Sequence, residues 1–189
     1  GAGVSLCEGT ALVALGSDTA GSVRIPASVT GNVGLKTSYG RWPVSGIFPL
    51  SPTLDTAGIL TRSVADTVTA FSAIDPHQRS YGPRLAREIA RCTPADFVLG
   101  TGESALWDDC DPGISETVDE ALKTLGQAGV QTVSAALPEA APSIELLKVG
   151  SVVAAEIDEM LSSTAPQWRE TLDPVVSSRI RDGGSISAS

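Results

Sequence analysis

The chain has 189 residues, 42% hydrophobic and 19% charged, with 19 Gly and 12 Pro, a composition that describes one globular domain and excludes disorder, collagen-like sequence and tandem repeats. With 13 basic and 22 acidic residues the formal net charge is −9, which repels phosphate backbones and argues against a nucleic-acid partner. Aromatic residues make up only 4%, so small aliphatic side chains must fill a core that at this length can bury roughly 70% of the unfolded surface without disulfides or structural metal.

Val4 to Leu15 is a run of small and apolar residues broken by Gly9, and it predicts a buried helix running into a short strand. Gly16-Ser17-Asp18-Thr19-Ala20-Gly21-Ser22 follows, a stretch of tiny and turn-forming residues whose backbone N–H groups lie unshielded by side chains. Ser22 reads as the cap of a helix over Val23–Val29, with Pro26 in the first turn, where its missing N–H costs nothing. Gly31 to Ser51 is split by Gly34, Gly40, Pro43, Gly46 and Pro49 into short apolar pieces and holds no long element. Ser63 and Asp66 then form a capping-box-like pair, and Val64, Val68 and Phe71 recur at helical spacing, which predicts a helix over Val64–Ile74.

A polar connector from Asp75 to Gly82 leads to a short helix from Pro83 through Arg91, with Arg84, Arg87 and Arg91 on one solvated face. Phe97 to Gly100 reads as a buried strand. Asp111-Pro112 opens a helix with an apolar stripe of Ile114, Val118, Ala121, Leu122 and Leu125, ended by Gly126 and Gly129, and Val130 to Val133 is a second strand. Residues 97–133 are thus a strand, helix, strand unit of the α/β kind. Ser143 caps a long apolar helix reaching about Leu161, and polar, less regular sequence closes the chain.

Cys7, Cys92 and Cys110 are odd in number and in no CxxC spacing, so neither a disulfide framework nor a zinc site is suggested, and a reducing, cytoplasmic location fits best. Cys7 reads as a packed small hydrophobe. Cys110, beside Trp107 and two aspartates, has no basic neighbour to activate a thiolate. No run of 18 apolar residues is present, which argues against a membrane partner, and no signal peptide opens the chain. The start at Gly1-Ala2-Gly3 without Met leads to the expectation that the chain is a piece of a longer protein.

The one concentration of chemistry is Gly16 to Arg24. Breaking an amide requires a nucleophile near the carbonyl carbon and donors aimed at the oxygen as it gains charge. Ser22 offers a hydroxyl, and the consecutive N–H groups of Thr19, Ala20, Gly21 and Ser22 offer the donors. Losing one such donor typically costs about 3 kcal/mol of barrier. From the residues alone, however, a Gly/Ser-rich loop ending at a helix cap is more often a plain turn than a site. The sole histidine, His77, lies far along the sequence in a connector and is expected on the surface, which leaves the serine without a visible base. Asp18 and Arg24 flank the loop with opposite charges. They read as an ion pair holding the turn, the alternative being an Arg24 that meets a substrate carboxylate.

Gly16-Ser17-Asp18-Thr19-Ala20-Gly21-Ser22-Val23-Arg24-Ile25-Pro26-Ala27, followed by Gly31-Asn32-Val33-Gly34-Leu35-Lys36-Thr37, closely resembles the signature of the amidase signature family. Tyr39-Gly40-Arg41, the stretch Pro49 to Gly58, and Thr61 to Asp66 are similar to that family in the expected order. The resemblance covers the whole chain as a partial domain, incomplete at both ends: residues 1–75 as a signature core with the nucleophile loop, and 76–189 as a later strand-helix-strand unit and helical tail.

It implies an α/β fold with a mixed sheet sandwiched by helices, and a Ser, cis-Ser, Lys triad whose nucleophile falls on Ser22. Thr19, Ala20, Gly21 and Ser22 map onto the oxyanion loop, with Asp18 and Arg24 in support. The bridging serine and the Lys would lie before Gly1, so these residues alone are expected to be inactive. A Lys base needs a depressed pKa but no histidine. Lys36 falls in a structural part of the motif and is not expected to replace that base.

The implied activity is hydrolysis of a carboxamide C–N bond through an acyl-serine, with a small-molecule amide as substrate and no metal or cofactor; a homodimer is left open. Two other readings accompany it: an amidotransferase subunit acting as a glutaminase that supplies ammonia to aminoacyl-tRNA, and a non-catalytic member that keeps the fold. Arg24-Ile25-Pro26 and Thr53-Leu54-Asp55-Thr56 look more like the stand-alone amidases.

Overall fold

A computed structural model describes residues 1–77, 82–102, 110–149 and 151–183. The neighbours expected for Cys110, Trp107 with Asp108 and Asp109, lie outside the described residues, as does most of the connector after His77. The chain divides into two compact units, residues 1–88 together with 150–189, and residues 89–149. The boundary therefore differs from a simple cut near residue 75, because the C-terminal segment belongs to the first unit.

In that unit, α1 (Ala2–Cys7) stops before a turn in which Gly9 takes φ +74°, and β1 (Val13–Asp18) follows. α2 (Arg24–Val29) and β2 (Val33–Lys36) come next, then β3 (Thr56–Thr61) and α3 (Val64–Ile74). α4 (Gly82–Ile89) is shorter than expected at its C-terminus and ends before Arg91. The strands form an antiparallel sheet in the order β1-β3-β2, with Val13 opposite Thr61, Asp18 opposite Thr56, and Lys36 opposite Gly58.

β3 is central and covered on both faces, so its sequence Thr-Ala-Gly-Ile-Leu-Thr shows none of the alternation that marks a half-exposed strand. On one face Leu60 packs with Leu6, Val23 and Ala27 from α1 and the start of α2; on the other, Ile59 packs with Trp42 and Ala70, flanked by Phe71 and Ile74. α3 begins as its capping box predicts: the Ser63 hydroxyl accepts the Asp66 N–H at 3.1 Å and donates to the Asp66 carboxylate at 2.7 Å. Cys7 is exposed rather than packed, with its Sγ 3.2 Å from the Thr30 carbonyl oxygen, because α1 turns Leu6 and Gly3 toward the core instead.

Glycines let α2 lie directly on the sheet. A Cβ on Gly34 would stand 2.8 Å from the Ala27 Cβ and 3.0 Å from the Val23 carbonyl oxygen, and one on Gly58 would stand 2.6 Å from the Leu35 carbonyl oxygen. Val23, fully buried, sits over Gly16 and Gly58. The residue after Ser22 is thereby clamped to the sheet.

The C-terminal part of this unit holds α7 (Val152–Thr164), a 3₁₀ turn at Pro166–Thr171, and α8 (Pro174–Gly183). Ile157, Leu161, Ala165 and Ile180 form its core. The expected long helix capped by Ser143 is two helices: α6 (Ala140–Val149) contains Ser143 within it, and Ser151 caps α7 by accepting the Val153 N–H at 3.2 Å. α6 ends at Val149 and α7 begins at Val152, and the sequence between them offers a glycine, a poor helix former, and then Ser151, a good cap. The tail is also more helical than its polar sequence suggested, with prolines at the first turns of the 3₁₀ segment and of α8.

The second unit has the expected strand, helix, strand order, but the strand expected to be buried is not: Phe97 and Val98 are exposed, because among the described residues of this unit the strand has a single neighbour in its sheet. β4 (Val98–Thr101) runs parallel to β5 (Gln131–Ser134), with α5 (Ile114–Gln127) between them in sequence. Among the described residues no helix is long and apolar enough to cross a membrane.

Substituting Gly34→Ala in the full-length protein is expected to cost about 1–3 kcal/mol, because backbone limits how far either neighbour can yield. Gly126→Ala, in α5 where an added Cβ meets nothing, is expected to stabilise by about 0.5–1 kcal/mol. Denaturation midpoints of the two variants should move in opposite directions.

Candidate active site

The loop between β1 and α2 is organised around one carboxylate. Asp18 is the last residue of β1, paired with Thr56, and its side chain is fully buried. Its Oδ1 accepts the Gly21 N–H at 2.8 Å; its Oδ2 accepts the N–H groups of Val23 at 3.2 Å and Arg24 at 3.3 Å. The Arg24 guanidinium closes the arrangement in fork geometry, Nε to Oδ2 and Nη2 to Oδ1, each at 3.0 Å. Burial alone would raise the Asp18 carboxyl, but the Arg24 guanidinium and the three backbone N–H groups outweigh it and hold the group below the ordinary carboxylate value. Arg24 is correspondingly shifted upward.

This settles who caps α2. The helix N-cap is Val23, with no side-chain cap bond of its own, and the expectation that Ser22 caps it is corrected: Asp18 takes the N–H groups a cap would take. Ser22 is exposed, and among the described residues its hydroxyl has no hydrogen-bond partner. Gly21 makes the turn with φ +131°, where an added Cβ would stand 2.5 Å from Ile25 Cδ1, and its carbonyl accepts the Ile25 N–H at 2.7 Å. Ala20 stays out of positive φ, as its Cβ demands.

The Gly21 N–H is engaged by Asp18 and differs in this from its neighbours. Among the described residues the N–H groups of Thr19, Ala20 and Ser22 have no hydrogen-bond acceptor. The Arg24 side chain commits two nitrogens to Asp18, in keeping with a role in holding the turn.

A second carboxylate backs the loop. Asp55 Oδ1 accepts the Thr19 hydroxyl at 2.5 Å, while Oδ2 accepts the N–H groups of Leu50 at 2.9 Å and Ser51 at 3.0 Å. Thr56 donates its hydroxyl to the Asp18 carbonyl at 2.7 Å. Behind Asp55, Glu156 on α7 accepts from Ser51 Oγ at 2.5 Å, from the Thr53 N–H at 3.2 Å and from the Thr53 hydroxyl. The Ser51 and Thr53 hydroxyls hold the Glu156 carboxyl below its ordinary value.

Neither alternative base reaches this loop. His77 is exposed, and its backbone N–H donates to Asp75 at 2.9 Å; Lys36 Nζ donates to the Thr37 carbonyl at 2.8 Å. A cavity of about 500 Å³ is lined by Leu15, Ser17, Trp42, Ile47, Ala57 and Pro76 among others. Leu15 pairs with Ile59 and Ser17 with Ala57, so the cavity opens on the sheet face opposite α2 and does not contain Ser22.

A family profile described as Amidase matches residues 1–187. The chain belongs to the amidase family. It is 45% identical over 188 residues to the 2-amino-5-chloromuconic acid deaminase of Comamonas testosteroni, covering all of this chain and 40% of that protein. It is 40% identical over 126 residues to the mandelamide hydrolase of Pseudomonas putida, covering 67% of this chain and 23% of that one. A solved structure described as an amidase superposes with TM-score 0.79 at 26% identity, covering 98% of this chain and 40% of its own. The chain therefore spans about two fifths of the length of the first of these relatives.

Within the amidase chain, the residues that sequence reasoning singled out as Asp18 to Arg24 do come together in one turn. Glu156 was missed, since an acidic residue on a helix far along the chain carries no local signal. Asp55 stood only inside a motif known by resemblance.

The Asp18 carboxyl is depressed on folding, so its stabilising contribution is complete above the ordinary carboxylate value and is lost as pH falls through the lower folded-state value. Asp18→Asn should cost about 2–3 kcal/mol at neutral pH, below the roughly 3–5 kcal/mol for breaking a fully buried pair because the Arg24 side chain is 53% exposed. Melting temperatures measured from pH 7 downward should show the acid-side loss blunted in the variant.

Proposed function

We propose that the full-length protein hydrolyses a carboxamide C–N bond of a small molecule through an acyl ester on Ser22. The observation that carries this reading is the division of labour in the turn. Asp18 caps the helix and satisfies the turn, which leaves the Ser22 hydroxyl exposed and, among the described residues, unengaged beside the likewise unpaired N–H groups of Thr19, Ala20 and Ser22. A serine consumed by capping would be a poor candidate; this one is held at the same point by Val23 yet free at its oxygen.

In this reading Ser22 Oγ attacks the carbonyl carbon, and its proton passes to the base, which the amidase resemblance assigns to a serine-bridged Lys outside these residues. The carbonyl oxygen gains charge and is met by the free N–H groups of the turn. The C–N bond then breaks, the nitrogen leaves protonated as ammonia or an amine, and water cleaves the acyl ester to a carboxylic acid and Ser22. The N–H of Gly21 shapes the turn through Asp18, so the donors are Thr19, Ala20 and Ser22. The relatives named as a deaminase and as an amide hydrolase share release of nitrogen from a small organic molecule, which supports ammonia as the product to measure.

The test is labelling of the full-length protein with a fluorophosphonate, followed by peptide mapping. The adduct is expected on Ser22, and Ser22→Ala should abolish it and lower kcat by about 10⁴- to 10⁶-fold with little change in melting temperature, since the hydroxyl is exposed. An adduct on another residue, or ammonia release that survives Ser22→Ala, would exclude the mechanism.

A further inference from the structure

The loop that carries Thr19 is braced from a distant part of the chain. Ser51 and Glu156 are separated by 105 positions, yet the Ser51 hydroxyl donates to Glu156 Oε2 at 2.5 Å, and both the N–H and the hydroxyl of Thr53 donate to the same carboxylate. Ser51 is fully buried, and its N–H donates onward to Asp55 Oδ2 at 3.0 Å. Asp55 in turn holds the Thr19 hydroxyl at 2.5 Å.

A carboxylate can only accept, so the polarity of every link is fixed: Ser51 Oγ–H must point at Glu156 and Thr19 Oγ–H at Asp55. Thr19 is the first residue after β1, and its N–H is one of the donors assigned to the oxyanion.

We propose that Glu156 is a positioning residue for the reaction at Ser22, acting through Ser51, Asp55 and Thr19 on the donor array of the turn. The inference rests on the acyl-Ser22 reading. Glu156 touches no reacting atom; it sets the place of the segment from Leu50 to Asp55, and that segment sets the Thr19 side chain and the backbone attached to it.

Donors that act on the transition state are sensitive to small displacement, since a misplacement near 1 Å can cost on the order of 10²-fold in rate. α7 does not need Glu156 for its own packing. It is anchored by Ile157 and Leu161 in a core with α8, and by Asp158, whose carboxylate accepts from Arg169 Nη2 at 2.7 Å. Among the described residues, the hydrogen bonds of the Glu156 carboxylate go instead to residues 51 and 53.

Glu156→Gln keeps the size and shape but turns one acceptor into a donor that faces other donors. In the full-length enzyme it is expected to lower kcat about 10- to 100-fold while KM stays within about twofold, because the affected donors matter in the transition state and not in substrate binding. Thr19→Val, which removes the hydroxyl at the far end of the chain of bonds, should lower kcat in the same way. The double variant should be no worse than the more impaired single one, as expected for two links of one path.

Ser51→Ala removes a single link and serves if Glu156→Gln does not fold; it is expected to act in the same direction with smaller effect. Asp158→Asn, on the same helix, should lower melting temperature and leave kcat unchanged. An unaltered kcat in Glu156→Gln or Ser51→Ala, or losses that multiply independently in the double variant, would overturn the proposal. Fluorophosphonate mapping separates this from failure of the underlying reading: Ser22 labelled normally with kcat unaltered rejects only the role of Glu156, whereas a wild-type enzyme labelled elsewhere rejects both.

Discussion

A buried carboxylate at the end of a strand governs the candidate site. Asp18 leaves the sheet with its backbone still paired to Thr56 and gathers three N–H groups and a guanidinium on two oxygens. Burying a charge without partners would cost several kcal/mol, so the turn is obliged to close around it. The geometry of residues 19–23 follows from that obligation together with a glycine at position 21 that alone accepts its backbone angle. Freed from capping, the serine beside it keeps a hydroxyl unspent among the described residues.

The same device recurs in the first unit. Asp75, fully buried, accepts from Arg41 Nε at 2.6 Å, Trp42 Nε1 at 2.9 Å and the His77 N–H at 2.9 Å. Burial pushes its carboxyl upward, but Arg41, Trp42 and His77 outweigh this and keep it below the ordinary value. Asp55 and Glu156 serve the segment from Leu50 to Thr53 in the same manner. Irregular chain between short strands has no ladder to satisfy its N–H groups, and acceptor-only side chains supply what a sheet would otherwise provide. The acidic composition is thus partly structural: several of the acids that make the net charge −9 are fastened inside loops rather than displayed to solvent.

Local signals in the sequence were read where the physics is local. The helix at Val64–Ile74 was visible from its cap and its spacing, and the β4–α5–β5 element from its apolar runs and stripe. β3 was not, because a strand covered on both faces, and interrupted by Gly58, has no alternating pattern to read. The long helix expected from Ser143 failed for a related reason: apolar residues continue across Gly150-Ser151, and composition outweighed the break. At the site, Ser22 and its neighbours could be named from residue type, and the ion pair of Asp18 with Arg24 from charge. That Asp18 and not Ser22 caps α2 is a matter of folded geometry that residue type leaves open, since either side chain could reach the helix start. Glu156 illustrates the limit, for nothing near position 156 refers to position 51.

That long separation has a temporal side. Ribosomes add about 5–20 residues each second, so the segment ending in Asp55 waits on the order of ten seconds for the acid at 156 to be made. Until then the Leu50 and Ser51 N–H groups have Asp55, but the Ser51 hydroxyl and Thr53 lack the carboxylate they bond in the finished fold. A nascent polypeptide of this kind has Ser22 in place well before the acid that ties down the loop behind it.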